Sequence, residues 1–220
     1  MLNLLAFISE ILPIILYLSF IKRNRGEGLW VIFLYCTFSL VTEPLFFLLL
    51  PKVPKFYFFA SWTILEFTLF SIFFSSSLER KKFKYIPAIG ALIFYVIAFT
   101  SFIGKSREDF DSLTASLEAI LVIIYCIFLL YEQINDPSVI FVYNNKKFWV
   151  IIAFFLYFSS TLFLFLFAGN FTKKEYHNYW SINNFFEILK NILFSVAFIM
   201  KKSDQRTDPP MDSLDPDILL

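Results

Sequence analysis

Seven long apolar stretches, separated by short polar connections, set the pattern of this chain. They run about Leu2–Phe20, Leu29–Leu50, Phe56–Ser77, Tyr85–Ile103, Leu113–Tyr131, Phe148–Ala168 and Tyr179–Met200. Each has close to the ~20 apolar residues that carry an α-helix across a bilayer's hydrocarbon core. The stretches are apolar almost all round, so length and hydropathy assign them rather than helical periodicity. The connections read KRNRGEG, PKVPK, LERKKFKY, GKSREDFD, EQINDPSVIFVYNNKK and GNFTKKEYHN, rich in the residues expected of loops. The predicted fold is all-α: a polytopic membrane protein in which residues 1–202 form one bundle of seven transmembrane helices. Residues 203–220 form an acidic, proline-bearing tail, too short and polar to bury a core, and are expected to be disordered. The SVIFVY segment is more apolar than a loop needs and is expected at the membrane interface or packed under the bundle.

Composition agrees with this class. Of 220 residues 58% are hydrophobic, 21% are aromatic and only 17% are charged, against about 25% charged in soluble domains. The net charge of +1 identifies no partner, and no basic block is long enough to suggest nucleic acid. The N-terminus lacks a basic region, and its first stretch holds Glu10 and Pro13, so it reads as a retained helix rather than a cleaved signal. Cys36 and Cys126 both fall inside spans and read as small packing residues.

Lysine and arginine counts set the expected orientation. The loops after spans 1, 3 and 5 and the tail carry 12 of them, and the opposite side carries 6; Lys190 is the nineteenth. This bias places the N-terminus outside and the C-terminus in the cytoplasm.

Ionisable residues inside the spans are then the candidate chemistry, because a charge at mid-bilayer costs at least about 2.5–3.5 kcal/mol. Glu10, Glu66, Glu118 and Glu187 lie about eight, ten, five and eight residues below the outer surface, at ~1.5 Å per residue. Glu43 lies about seven residues from it on the antiparallel second span, and Lys190 is deepest, near the midplane. A carboxylate in hydrocarbon must pair, take a proton or face water. Asn183, Glu187, Lys190 and Asn191 follow i, i+4, i+7, i+8 spacing and form one polar stripe, joined by Asn184. Trp62 and Glu66 are one turn apart on the third span. Pro13 and Pro44 follow glutamates closely and are expected to kink their helices. Together these predict a polar pocket open to the outside and floored near Lys190, with Glu66 as its expected partner. The competing reading is structural: Lys190 and Glu187 as an ion pair fixing helix register, and Glu118 favouring a helix N-terminus. His177 reads as a surface residue. Asn170-Phe-Thr172 matches a glycosylation acceptor, a pattern that chance also produces.

No P-loop, Rossmann glycine pattern, HExxH, GxSxG or cysteine–histidine cluster occurs, so no catalytic residue, metal site or cofactor is expected. A single histidine cannot build the zinc site of seven-span ceramidase-like hydrolases. A lysine on the seventh span with a carboxylate on the third invites comparison with microbial rhodopsins, but ASWTILEFTLF lacks their arginine, aspartate and threonine pattern. The segments TILEFTLFSIFF, DSLTASLEAILVIIYCIFLLYEQI, FWVIIAFFLYFSSTLFLF and NNFFEILKNILFSVAF resemble an uncharacterised family of bacterial seven-span inner-membrane proteins. Members are often encoded beside sensor histidine kinases and response regulators. The resemblance implies a topology and a signalling setting, and no mechanism. The expected function is a non-enzymatic sensor or signalling accessory, taking a small polar or amphiphilic ligand and reaching a cytoplasmic signalling protein. The alternatives are a proton- or ion-coupled small-molecule carrier and a structural subunit of a membrane assembly.

Overall fold

A computed structural model describes residues 2–25, 28–49, 55–103, 112–136, 141–168, 171 and 173–201. The side chains of Glu43 and of 173–178, His177 among them, lie outside the described residues, as do Asn170, Thr172 and the tail.

The described chain is helical, with no strand among its residues. Its helices are α1 Leu2–Ser19, α2 Ile21–Asn24, α3 Trp30–Leu49, α4 Lys55–Ser77, α5 Lys81–Ile103, α6 Ser112–Ile134, α7 Lys146–Phe167 and α8 Lys173–Ile199, with a 3₁₀ turn at Val142–Asn144. Six of them (all but α2 and α3) are long and apolar enough to cross a membrane, and the described apolar stretch of α3, Trp30–Thr42, is shorter. Pro13, Pro44 and Pro87 all lie inside helices that continue past them.

Two of the helix starts that precede the hydropathy bounds are capped by polar groups, which hydropathy ignores. α5 begins at Lys81 because Glu132, from α6, accepts the backbone N–H groups of Glu79 and Arg80 just before it. α7 begins at Lys146, where the Asn145 side chain accepts the Lys147 N–H at 2.9 Å.

Neighbour contacts run α1–α3, α3–α4, α4–α6, α6–α7, α7–α8 and α8–α1, closing a ring of six helices. α5 touches α4 and α6 and lies outside that ring. Its outward face is apolar, with Leu92, Phe99 and Ile103 exposed, as suits a lipid-facing surface. Inward, Gly90 lets α5 approach α6: a Cβ there would collide with the Tyr125 ring. Lipid tails are as apolar as leucine, so such helices associate through close packing and internal hydrogen bonds rather than water expulsion.

The interior is stratified along the helix axes. One level holds the ionisable residues. The next is aromatic: Phe70, Phe73, Phe74, Phe154, Phe158, Phe194 and Phe198 are all buried. Phe154 contacts Phe70 at 4.5 Å and Phe194 at 5.2 Å between ring centroids, both edge-on, a favoured arrangement of ring quadrupoles. The third level is a polar seam at the end of the bundle where the basic loops meet. There Arg23 donates to the carbonyls of Phe198 (3.1 Å) and Ile199, and the Asn24 amide donates to Phe198 O at 3.2 Å. The last carbonyls of α8, which lack intrahelical donors, are thereby satisfied. Lys146, 1% exposed, donates to Arg23 O at 3.1 Å and Asn24 Oδ1 at 3.0 Å. The loops that the charge count placed on one side are thus in contact with one another.

Beyond this seam, Phe141 and Tyr143 are exposed with their rings 5.3 Å apart, and Trp149 Nε1 donates to Tyr143 O at 2.9 Å. Cys36 and Cys126 are free and buried among apolar neighbours.

Candidate functional site

Lys190 is 2% exposed and points into the ring of six helices. Its ammonium donates to the Tyr35 hydroxyl of α3 at 2.5 Å. It lies 3.7 Å from a Glu187 carboxylate oxygen one turn earlier on α8. It also sits 4.2 Å from the Tyr157 ring centroid on α7 and 4.9 Å from that of Tyr35. Cation–π attraction strengthens as the cation loses water, so two rings over one buried ammonium offset part of its desolvation.

Glu66 of α4 lies beside Tyr35 and Trp62, the latter one turn earlier on the same helix, and within electrostatic reach of Lys190 and Glu187. Of the two expected partners, Glu187 forms the ion pair of Lys190. The hydrogen bond of the ammonium is to the Tyr35 hydroxyl, and Glu66 stands in the same group. Glu118 of α6 is 3% exposed and within electrostatic reach of both Glu66 and Lys190. Its Oε1 is buried with no hydrogen-bond partner. Glu10 of α1 accepts the Ser39 hydroxyl of α3 at 2.6 Å.

The asparagines bind helix to helix around this group. Asn183 Oδ1 accepts the Tyr157 hydroxyl at 3.0 Å, Asn184 donates to Asn3 Oδ1 at 2.7 Å, and Asn191 donates to Ser9 Oγ at 2.9 Å. The stripe on α8 thus faces inward, with Glu187 its least buried member.

Tyr157 lies within electrostatic reach of Glu10, Glu66, Glu118 and Glu187 together. Four acidic side chains therefore lie at the level of one ammonium, and each of the six ring helices contributes a residue there. The arrangement can hold positive charge, which Lys190 supplies, bonded to Tyr35 and paired with Glu187. No nucleophile–base pair lies in it. Among the described residues no group of three or more His, Cys, Asp or Glu is placed to hold a metal ion.

Of the sequence candidates, Glu10, Trp62, Glu66, Glu118, Asn183, Asn184, Glu187, Lys190 and Asn191 are brought to this level of the bundle. The side chain of Glu43 lies outside the described residues. Sequence reading missed Tyr35 and Tyr157, the two residues that touch the ammonium most closely. Their signal was weak: in a chain this aromatic, only their positions, seven residues before Thr42 and midway along the sixth span, set them at the depth of Lys190.

The six long apolar helices point to a membrane protein as the class. No family model, no curated protein and no solved structure matches this chain. What it does must come from the chemistry of these side chains.

Proposed function

We propose that this chain is a seven-span protein of the bacterial inner membrane, with its N-terminus outside and its C-terminus cytoplasmic. It acts as a non-enzymatic sensor or signalling accessory. The polar core around Lys190 is its responsive element, and the occupant is a small polar or amphiphilic molecule with a positively charged head. The observation that carries this reading is the buried Glu118 oxygen without a hydrogen bond, at the level where four acidic side chains lie within electrostatic reach of Tyr157. A cationic head would supply the missing donor and would compete with Lys190 for Tyr35 and Glu187. Because all six ring helices contribute to this level, a change in its occupancy alters packing throughout the ring. The seam at the basic end ties α2, α7 and α8 together and would pass that change to a cytoplasmic signalling protein. The resemblance to proteins encoded beside sensor histidine kinases is in keeping with this role.

The test is thermal stability of the purified chain below detergent-micelle concentrations of octylammonium or octyl sulfate. Octylammonium should stabilise the wild type and octyl sulfate should not. Glu66→Gln, Glu118→Gln and Lys190→Met should insert normally and lose that shift. An unchanged shift in all three variants would overturn the proposal.

A proton- or ion-coupled carrier is the second reading, favoured by the same acidic side chains. The aromatic level beneath the site argues against it, since Phe70, Phe154 and Phe194 close the path a carrier would need. Uptake driven by a pH gradient in proteoliposomes would establish the carrier.

A further inference from the structure

At the end of the bundle that carries the basic loops, a small cavity lies between the α4–α5 corner, the C-terminal turn of α6 and the N-terminal turn of α7. Its volume is about 40 Å³, room for roughly three water-sized groups at about 10–15 Å³ each. Ser77, Glu79, Glu132, Gln133, Asp136 and Lys147 line it. None of these served in the site described above.

Several polar atoms around it lack partners within the chain. Gln133 is 7% exposed, yet neither its amide oxygen nor its amide nitrogen has a hydrogen-bond partner in the chain. The Ser77 hydroxyl and Glu132 Oε2 are buried in the same condition. Glu132 is held in place from its other side, where Oε1 accepts the N–H groups of Glu79 and Arg80. The carboxylate is thus fixed by the start of α5, with one oxygen left over. The neighbouring cations are already engaged: Lys147 Nζ donates to Ser77 O at 3.4 Å and lies 3.8 Å from Glu79, and Arg80 donates to Asn135 O at 3.2 Å. Buried polar groups are almost always satisfied, and each one left unmade is costly. Lys147 is already matched by Glu79, and the remaining Glu132 oxygen disfavours an anion. Among the described residues no group of three or more His, Cys, Asp or Glu is placed to hold a metal ion.

We propose that this cavity is a binding site for a small organic cation, a guanidinium or primary ammonium group. Its N–H donors meet Glu132 Oε2, the Gln133 amide oxygen and the Ser77 hydroxyl, and its charge offsets that of Glu132. On the orientation proposed above, the site faces the cytoplasm. The same chemistry is offered by a free small cation or by an arginine or lysine side chain of a partner protein.

The full chain in nanodiscs, titrated with radiolabelled methylguanidinium, tests this. Saturable binding at one site is expected, with methylammonium competing. Gln133→Leu should weaken it at least roughly tenfold, a change of about 1.4 kcal/mol in binding free energy. Glu132→Gln, which keeps the capping oxygen but adds a donor where an acceptor is needed, should do the same. Lipid-facing Leu92→Ala should leave it unchanged, and melting curves identify any variant that fails to fold. A Gly-Arg-Gly peptide that competes better than the free cation would assign the occupant to a protein side chain; weaker competition would assign it to a free cation. If neither cation binds saturably, or if both Gln133→Leu and Glu132→Gln bind with wild-type affinity while folded, the cavity holds only water and the proposal fails.

Discussion

Two lysines in this bundle are equally buried, and they are held in opposite ways. Lys146 sits in the seam at the basic end and donates to neutral oxygens, Arg23 O and Asn24 Oδ1. Lys190 sits mid-bundle against a hydroxyl, two aromatic faces and the Glu187 carboxylate. A cation bonded to carbonyl-type oxygens at helix ends fastens those ends. A cation paired with a buried acid leaves that acid uncompensated when it is removed. The first is a fastening; on the function proposed above, the second is a balance that a ligand would tip.

The largest effect should therefore come from Lys190→Met. It removes the ammonium paired with Glu187 inside the bundle, and breaking a buried charge pair in this way costs about 3–5 kcal/mol. Chemical or thermal unfolding in detergent would measure it. Adding Glu187→Gln should recover part of the loss, and a purely additive double mutant would show that the ion pair is not coupled. Tolerance of Lys190→Met would favour the structural-subunit reading instead.

Lys146→Met should cost less, about 1.5–3 kcal/mol, the range for hydrogen bonds to charged groups. A loss equal to that of Lys190→Met would erase the distinction between the two lysines. Tyr35→Phe should come next, at about 1–2 kcal/mol, because it removes the hydroxyl that accepts from Lys190 but keeps the ring. It should also weaken octylammonium stabilisation, which a purely structural tyrosine would not do. The smallest effect is expected for Lys147→Met. Its ion pair to Glu79 is 3.8 Å long, with the glutamate side chain 78% exposed, and exposed pairs contribute about 0–1 kcal/mol.

These two regions were unequally legible in the sequence. Lys190 stood out because hydropathy makes any charge inside a span conspicuous, and the depth count brought Glu66, Glu118 and Glu187 beside it. Tyr35 and Tyr157 were lost among 11 tyrosines and 32 phenylalanines, since an amphipathic ring reads as ordinary span composition. At the basic end the opposite happened. Lys146, Arg23 and Asn24 were counted as loop residues reporting orientation, and Glu132 and Gln133 as the polar border of a span. Charge near a helix end carries no signal of burial, so the seam and its neighbouring cavity could not be read from the pattern.

By itself the sequence determined which segments are helical, which loops share an end, and the level at which the intramembrane charges gather. Apolar length and axial rise fix those quantities, and both are local. Only the tertiary structure decided that α5 stands outside the ring, that the Tyr35 hydroxyl accepts from Lys190, and that Lys146 is sealed among carbonyl oxygens. Those outcomes depend on the rotation of each helix about its own axis, and helices that are apolar on every side leave that rotation to packing.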